Sequence, residues 1–273
     1  MPISRLLRNA ASVLKDPAQF TAYVRWTFGR LISEPTQLVA GHRLRGFQRF
    51  SEYWNISSVT SSESEISFIR EVSRQYSGPC LDIGSNIGQM AVTLRALMQR
   101  EVHCFEPHPQ TFKSLSINCD APHFVLNRLA LSNEKGIVQF SNGRSTTLNK
   151  ILVEKSNQEE FFDVPSDTVD NYLTAHKIKE ISLVKIDVEG AEPLVLHGMR
   201  EHLAKRAIGA LLIEVIPHQL AGFGFTVEDV WRATAEFGYL PYEVHNLSKS
   251  LSLEELGDAV GPNIAFMLKP LGA

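Results

Sequence analysis

The residues of this chain that could do chemistry gather at four places. The first is a glycine turn, Asp82-Ile-Gly84-Ser-Asn86-Ile-Gly88, at the end of the apolar run from Cys80. The second is Glu106, 18 residues beyond Gly88, at the end of a second apolar run from Glu101 to Phe105. The third is an acidic group, Asp187, Glu189 and Glu192, after the run Ile181 to Ile186. The fourth is Glu214, near the end of the run Ile208 to Val215, with Pro217-His218 just behind it. Acids at the ends of apolar strands belong to ligand sites in open parallel sheets, because ligands bind outside the carboxyl ends of such strands.

The glycine turn excludes some ligands. A dinucleotide fingerprint is Gly-x-Gly-x-x-Gly, and counting from Gly84 puts Asn86 and Gln89 where its second and third glycines belong. The Gly-Lys-Ser/Thr ending of a P-loop is also missing. What is left is an acid with no phosphate cradle, which repels a pyrophosphate and suits a cation. Glu106 stands where an acid accepts the two hydroxyls of a ribose. A phosphate-free, positively charged nucleoside meets both conditions, and S-adenosylmethionine is such a ligand. A nicotinamide-dependent oxidoreductase shares the ribose acid but needs the missing glycines. A non-catalytic binding protein on the same fold is the other alternative, and the acids at 187–192 count against it.

Four segments occur in a fixed order: Asp82 to Gly88, Phe105-Glu106-Pro107, Ala130-Leu131-Ser132, and Val184-Lys-Ile-Asp187-Val-Glu189-Gly-Ala-Glu192. Together they resemble the FkbM family of S-adenosylmethionine-dependent methyltransferases, over roughly residues 60–270. The last segment is the most family-specific, and Ser85 replaces the usual Ala, one small residue for another. The resemblance implies a Rossmann-like class I methyltransferase fold: an α/β arrangement with a seven-stranded, mostly parallel sheet, an antiparallel last strand and helices on both faces. It implies cofactor binding at Asp82, Gly84, Asn86, Gly88 and Glu106, with backbone near Leu129 and Ala130 beside the adenine. It also implies O-methylation of a hydroxyl on a sugar, glycolipid or natural product, so the acceptor partner is a small molecule or a glycan.

Methyl transfer from a sulfonium is an in-line displacement by an already activated donor, so the protein mainly aligns the partners and removes water. A hydroxyl is a poor nucleophile at neutral pH and is helped by a general base. Asp187 has the position for this, followed by Glu189 and by His218, whose ordinary pKa suits the task. Glu214 is a further carboxylate in an apolar run and needs a partner. Asp187 and Glu189 alone do not make a full set of metal ligands, so no metal is expected.

The elements that must position these groups read clearly in places. Ser62-x-x-Glu65 is a capping box opening a helix with Ile66, Ile69, Val72 and Tyr76 inward, stopped by Gly78-Pro79. Helices are expected after Gly88 and from Pro109 to Cys119, and a third strand from His123 to Leu131. Alternation puts Lys185 and Asp187 on one side of their strand, where a buried lysine needs an ion-pair partner. Glu192-Pro193 suits a helix start. Thr226-x-x-Asp229 is a second capping box, and Tyr239 to His245 and Asn263 to Lys269 are the last two strands. Residues 141–167 show no clear periodicity and read as a substrate-facing lid.

Length and composition set the outer limits. With 273 residues, 44% of them hydrophobic, one sizeable core plus an extension is expected. The boundary falls at a basic helical extension over 1–60 and a methyltransferase domain over 61–273. A net charge of −3 argues against nucleic acid as a partner. Cys80, Cys104 and Cys119 lack metal spacing and fit a reducing, cytoplasmic setting. Residues 1–50 hold eight Arg or Lys against two acids. Asp16-Pro17 starts a helix there with a stripe of Phe20, Val24, Thr27, Phe28 and Leu31. That stripe either packs on the domain or on a second copy in a homodimer, or makes a peripheral membrane contact with acidic lipid.

Overall fold

The computed structural model describes residues 17–32, 36–47, 53, 62–141, 161–259 and 263–271. The chain begins with helix α1 (Pro17–Ile32), a hairpin of β1 (Gln37–Val39) and β2 (His42–Leu44), and helix α2 (Glu63–Gln75). Strands and helices then alternate: β3 (Cys80–Ile83), α3 (Gln89–Met98), β4 (Val102–Phe105), α4 (Pro109–Asn118) and β5 (Phe124–Asn127). Three further strands follow, β6 (Ala130–Leu131), β7 (Gly136–Ser141) and β8 (Phe161–Asp167). The alternation resumes with α5 (Val169–Ala175), β9 (Ile181–Ile186), α6 (Glu192–His197), α7 (Arg200–Ala204), β10 (Ile208–Glu214), α8 (Pro217–Ala221) and α9 (Val227–Ala235). The last elements are β11 (Leu240–Glu243), α10 (Leu253–Gly257) and β12 (Asn263–Met267).

Seven strands form the main sheet in the order β11-β12-β10-β9-β3-β4-β5. β3, β4, β5, β9 and β10 are mutually parallel, and β12 runs antiparallel to both β10 and β11. The strand order reverses between β3 and β9, which is the switch point where a ligand crevice opens in such sheets. The central strands are buried at every position, as strands covered by helices on both faces must be.

Side-chain alternation divides the core in two. Cys80, Leu183, Ala210, Leu212, Ala265 and Met267 face α2 and α3, meeting Phe68, Ile69, Val72, Ala91 and Leu94. Leu81, Ile83, Val184, Ile186, Leu211 and Ile213 face the other way, against Leu173, Val195, Leu196 and Val230 of α5, α6 and α9. Both expected capping boxes form, at Ser62–Glu65 on α2 and Thr226–Asp229 on α9. In α2 the buried residues are Glu65, Phe68, Ile69 and Val72, so Phe68 takes the place expected for Ile66.

The third strand is shorter than expected. The chain leaves the main sheet after Asn127, and Ala130-Leu131 pairs instead with Ser166-Asp167 in a separate sheet of order β6-β8-β7. β8 contains Pro165, yet it is the middle strand. β6 pairs with β8 only at Ser166 and Asp167, so at Pro165 only the β7 side is laddered. The region expected as a lid, 141–167, therefore contributes one strand, β8, paired with β7 just before it. Its remaining residues, 142–160, lie outside the described residues.

The N-terminal helix buries a different stripe from the expected one. Tyr23 is buried and Ala22 and Trp26 pack on the α2/α3 side of the core, whereas Phe20 is 41% exposed. The side chains of Phe28 and Leu31 lie outside the described residues. The hairpin turn uses Ala40 (φ 48°) and Gly41 (φ 83°), the left-handed pair that a two-residue hairpin requires. Beyond the hairpin, Asn118 of α4 holds Arg45 through both backbone groups, accepting from its N–H at 2.9 Å and donating to its carbonyl at 3.1 Å. Among the described residues, no helix is long and apolar enough to cross a membrane.

Candidate active site

The turn after β3 is stitched to β4 by its own backbone and one hydroxyl. The N–H groups of Gly84 and Ser85 both donate to the Phe105 carbonyl at 3.0 Å. Ser85 Oγ donates to the Asp82 carbonyl at 2.7 Å and accepts from the Phe105 N–H at 3.1 Å. Ser85, read from sequence only as a small residue, is thus a structural bridge between the first two strands. Asn86 (φ 49°) and Gly88 (φ 98°) complete the turn in the left-handed region. Gly84 is required for space as well as conformation. A Cβ there would lie 1.8 Å from the Asp187 carbonyl oxygen. Gly88 admits a close approach by the end of α4: a Cβ would meet Cys119 Sγ at 2.8 Å and Leu115 at 3.1 Å.

Asp82 and Glu106 are both buried at the ends of β3 and β4. Glu106 accepts from the Asn86 N–H at 3.0 Å with one oxygen and from the His108 N–H at 2.8 Å with the other. Burial pushes its carboxyl up to about 7 against these two hydrogen bonds. Asp82 is also raised to about 7, mainly by burial, with the Lys185 ammonium opposing. Its Oδ2 is buried and has no hydrogen-bond partner among the described residues. An unfilled buried acceptor on an acid is costly and calls for a donor or a cation at that point. That requirement fits a ligand bearing ammonium and sulfonium charges. It does not fit a pyrophosphate. Leu129 sits at the break between β5 and β6, partly buried, and Ala130 opens β6 beside it.

The other acids assemble on the neighbouring strands. The registers place Asp82 beside Lys185 and Ile186 beside Ile213, which brings Asp187 level with Glu214. Lys185 is fully enclosed. Its Nζ donates to the Ile186 carbonyl at 3.1 Å and pairs with Asp187 Oδ2 at 3.4 Å. Burial alone would lower this ammonium, but Asp187, Glu214 and Asp82 more than reverse the effect and hold it above the ordinary lysine value. The partner expected for Lys185 is therefore present. Burial first, then the Asp187 charge, push the Glu214 carboxyl up to about 8.

Glu192 is buried at the start of α6 and accepts from the N–H groups of Val188 (3.1 Å) and Gly190 (3.2 Å). It holds the loop in place, as its position before Pro193 suggested. Glu189 sits in the left-handed region (φ 59°) and accepts from Gln219 Nε2 of α8. His218, one residue earlier on the same short helix, is exposed. Gln219 is thus the α8 side chain tied to the acidic group, and sequence reasoning passed over it because an amide carries no spacing signal. Glu65 was read only as a cap, yet its second oxygen accepts from Asn263 Nδ2 of β12, which lies opposite Glu214. Among the described residues no group of three or more His, Cys, Asp or Glu is arranged to hold a metal.

The strand order with its one antiparallel member, the reversal at β3/β9 and the acids on β3 and β4 define a Rossmann-like class I methyltransferase fold. Residues 82–241 match the methyltransferase FkbM domain, and the chain belongs to that family of methyltransferases. The hexuronic acid methyltransferase AglP of Haloferax volcanii is 26% identical over 209 residues, spanning 75% of this chain and 83% of that protein. Two solved structures are more distantly similar. A TehB-like SAM-dependent methyltransferase of Corynebacterium glutamicum has 13% identity and a TM-score of 0.39, over 80% of this chain and 95% of that chain. The precorrin-6y C5,15-methyltransferase of Geobacter metallireducens GS-15 has 13% identity and a TM-score of 0.37, over 68% and 75%. At these scores the two overlaps add nothing to the strand order itself.

Proposed function

We propose that the protein transfers a methyl group from S-adenosylmethionine to a hydroxyl of a sugar, glycolipid or other small natural product. The observation that carries this reading is the buried Oδ2 of Asp82, without a hydrogen-bond partner among the described residues, together with the enclosed carboxylate of Glu106. Glu106 would receive the ribose hydroxyls, and Asp82 the cationic end of the ligand. Gly84, Asn86 and Gly88 shape the turn between them, and backbone at Leu129 and Ala130 would border the adenine. When bound, the cofactor supplies an activated methyl group. The chain's own part is to align the acceptor, exclude water and take up a proton. Asp187 is the first candidate for that proton, ahead of Glu189 and His218. Its side chain is 37% exposed, open enough to meet an acceptor, while its partner Lys185 is enclosed. The AglP likeness supports a sugar as the acceptor class.

Isothermal calorimetry tests the cofactor assignment. Purified protein should bind S-adenosylmethionine, and Glu106→Ala should weaken binding about 10-fold or more, as loss of hydrogen bonds to a charged acceptor does. Absence of binding by the wild type, or binding unchanged in Glu106→Ala, would overturn the assignment.

A further inference from the structure

We propose that Glu214 is a positioning residue that makes Asp187 the proton acceptor for a neutral hydroxyl, the two carboxyls holding between them the proton that the acceptor gives up. The inference rests on the methyl-transfer reading above and extends it to the acceptor side. Three features support it.

The first is geometry. Asp187 and Glu214 follow paired residues on adjacent parallel strands and so lie level with each other. Two carboxyls side by side share one proton more readily than both ionise. The second is the charge around the pair. Lys185 on β9 pairs with Asp187 and balances one negative charge. Asp82 of β3 lies on the far side of Lys185, level with it in the sheet. Glu189 adds a like charge and is itself held by Gln219 of α8. Asn263 of β12 lies opposite Glu214 and is tied to Glu65 of α2. His218 of α8 is exposed. Burial in this surrounding pushes Glu214 up to about 8, which suits a base working near neutrality. The third is sign. Asp187, Glu189 and Glu214 oppose any acceptor that presents a carboxylate to the pair, so the reacting group is a neutral hydroxyl.

The step balances as follows. The working form of the pair is doubly ionised, with Lys185 protonated. The acceptor oxygen forms its bond to the methyl carbon while the carbon–sulfur bond breaks and its electron pair stays on sulfur. The hydroxyl proton passes to Asp187 and is shared with Glu214, and it leaves to water before the next turnover. No oxidant, reductant or metal enters.

The test begins on cofactor-free protein. Carbon-13 label in the Asp and Glu carboxyls, followed by NMR across pH 4 to 10, should show a carboxyl titrating near pH 8 in the wild type. In Glu214→Gln that titration should be gone, and Glu214→Asp should keep a raised carboxyl titration. Methyl transfer from labelled S-adenosylmethionine to an extract of the source cells should rise with pH through about 8. In Glu214→Gln the rising limb should move to acid and the plateau fall about 10- to 100-fold, as for a weakened general base. Calorimetric binding of S-adenosylmethionine should stay within about two-fold, since Glu214 is not part of the cofactor's proposed shell. If no carboxyl titrates above pH 7 in the wild type, or Glu214→Gln leaves the titration or the limb in place, the inference is wrong. Failure of the wild type to bind S-adenosylmethionine would instead bring down the functional reading beneath it.

Discussion

The two halves of the crevice use carboxylates in opposite ways. In the β3/β4 half each acid stands alone. Glu106 is wrapped by two backbone N–H groups, and Asp82 keeps one oxygen with no partner among the described residues. In the β9/β10 half the acids lie close enough to raise one another and gather around one buried lysine. An isolated buried acid is a receptor waiting for a donor or a cation. Coupled acids are a device for holding and releasing protons. On the proposed reading, binding and proton transfer are separated along the same sheet edge, with Lys185 between them.

Three perturbations would break or sharpen that contrast. The largest effect is expected where the halves touch. Gly84→Ala would drive a Cβ into the Asp187 carbonyl in a left-handed backbone, costing about 4 kcal/mol or more from overpacking and strain together. Urea unfolding measures this, and a loss below about 1 kcal/mol would mean that the two loops can separate freely.

A smaller and more selective effect belongs to Asp82. Its native carboxyl titrates near 7, above the ordinary 3.8, so the folded state binds the proton more tightly than the unfolded chain. The resulting stabilisation is complete below the unfolded value and is lost as pH rises through about 7. Asp82→Asn should therefore flatten the decline in stability between pH 4 and 7 while abolishing the binding of S-adenosylmethionine. A variant that keeps both the slope and the binding would remove Asp82 from the receptor half.

The smallest effect separates the two capping boxes. Ser62→Ala and Thr226→Ala should each cost about 1 kcal/mol of stability. Only the first should also lower the rate of methyl transfer, because Glu65 of that box reaches Asn263 opposite Glu214. Equal kinetic effects of the two changes would show that α2 does not support the proton-transfer half.

The same contrast explains what the sequence revealed. Asp82, Gly84 and Gly88 lie within one turn, and Glu106 follows a single helix later, so local spacing was enough to find them. The sheet order could be anticipated because strand and helix patterns alternate plainly. The pairing of Asp187 with Glu214 was not legible. It depends on a parallel register between strands whose acids stand 27 positions apart. The ties of Gln219 to Glu189 and of Glu65 to Asn263 are likewise long-range and come from side chains that serve as ordinary surface or capping residues elsewhere. The break of the third strand at Arg128-Leu129 was missed because the run remains apolar on both sides of it, while the partner changes from β4 to β8. The stripe on α1 was misread for a related reason. Tyr23 and Trp26 turn inward while Phe20 of the expected stripe is exposed, so the helix is rotated from the face that periodicity picked out.

The antiparallel strand has a consequence for biogenesis. β12 leaves the ribosome after both of the strands it pairs with, yet it lies inside the sheet, between β10 and β11. Until it arrives, the nascent chain shows the unpaired backbone of β10 along a row of apolar side chains, and β11 has no neighbour to dock on. An open edge of that kind attracts other strands. A chain interrupted before Asn263 would therefore be a substrate for chaperones and an aggregation hazard, and it would also lack the strand that lies opposite Glu214.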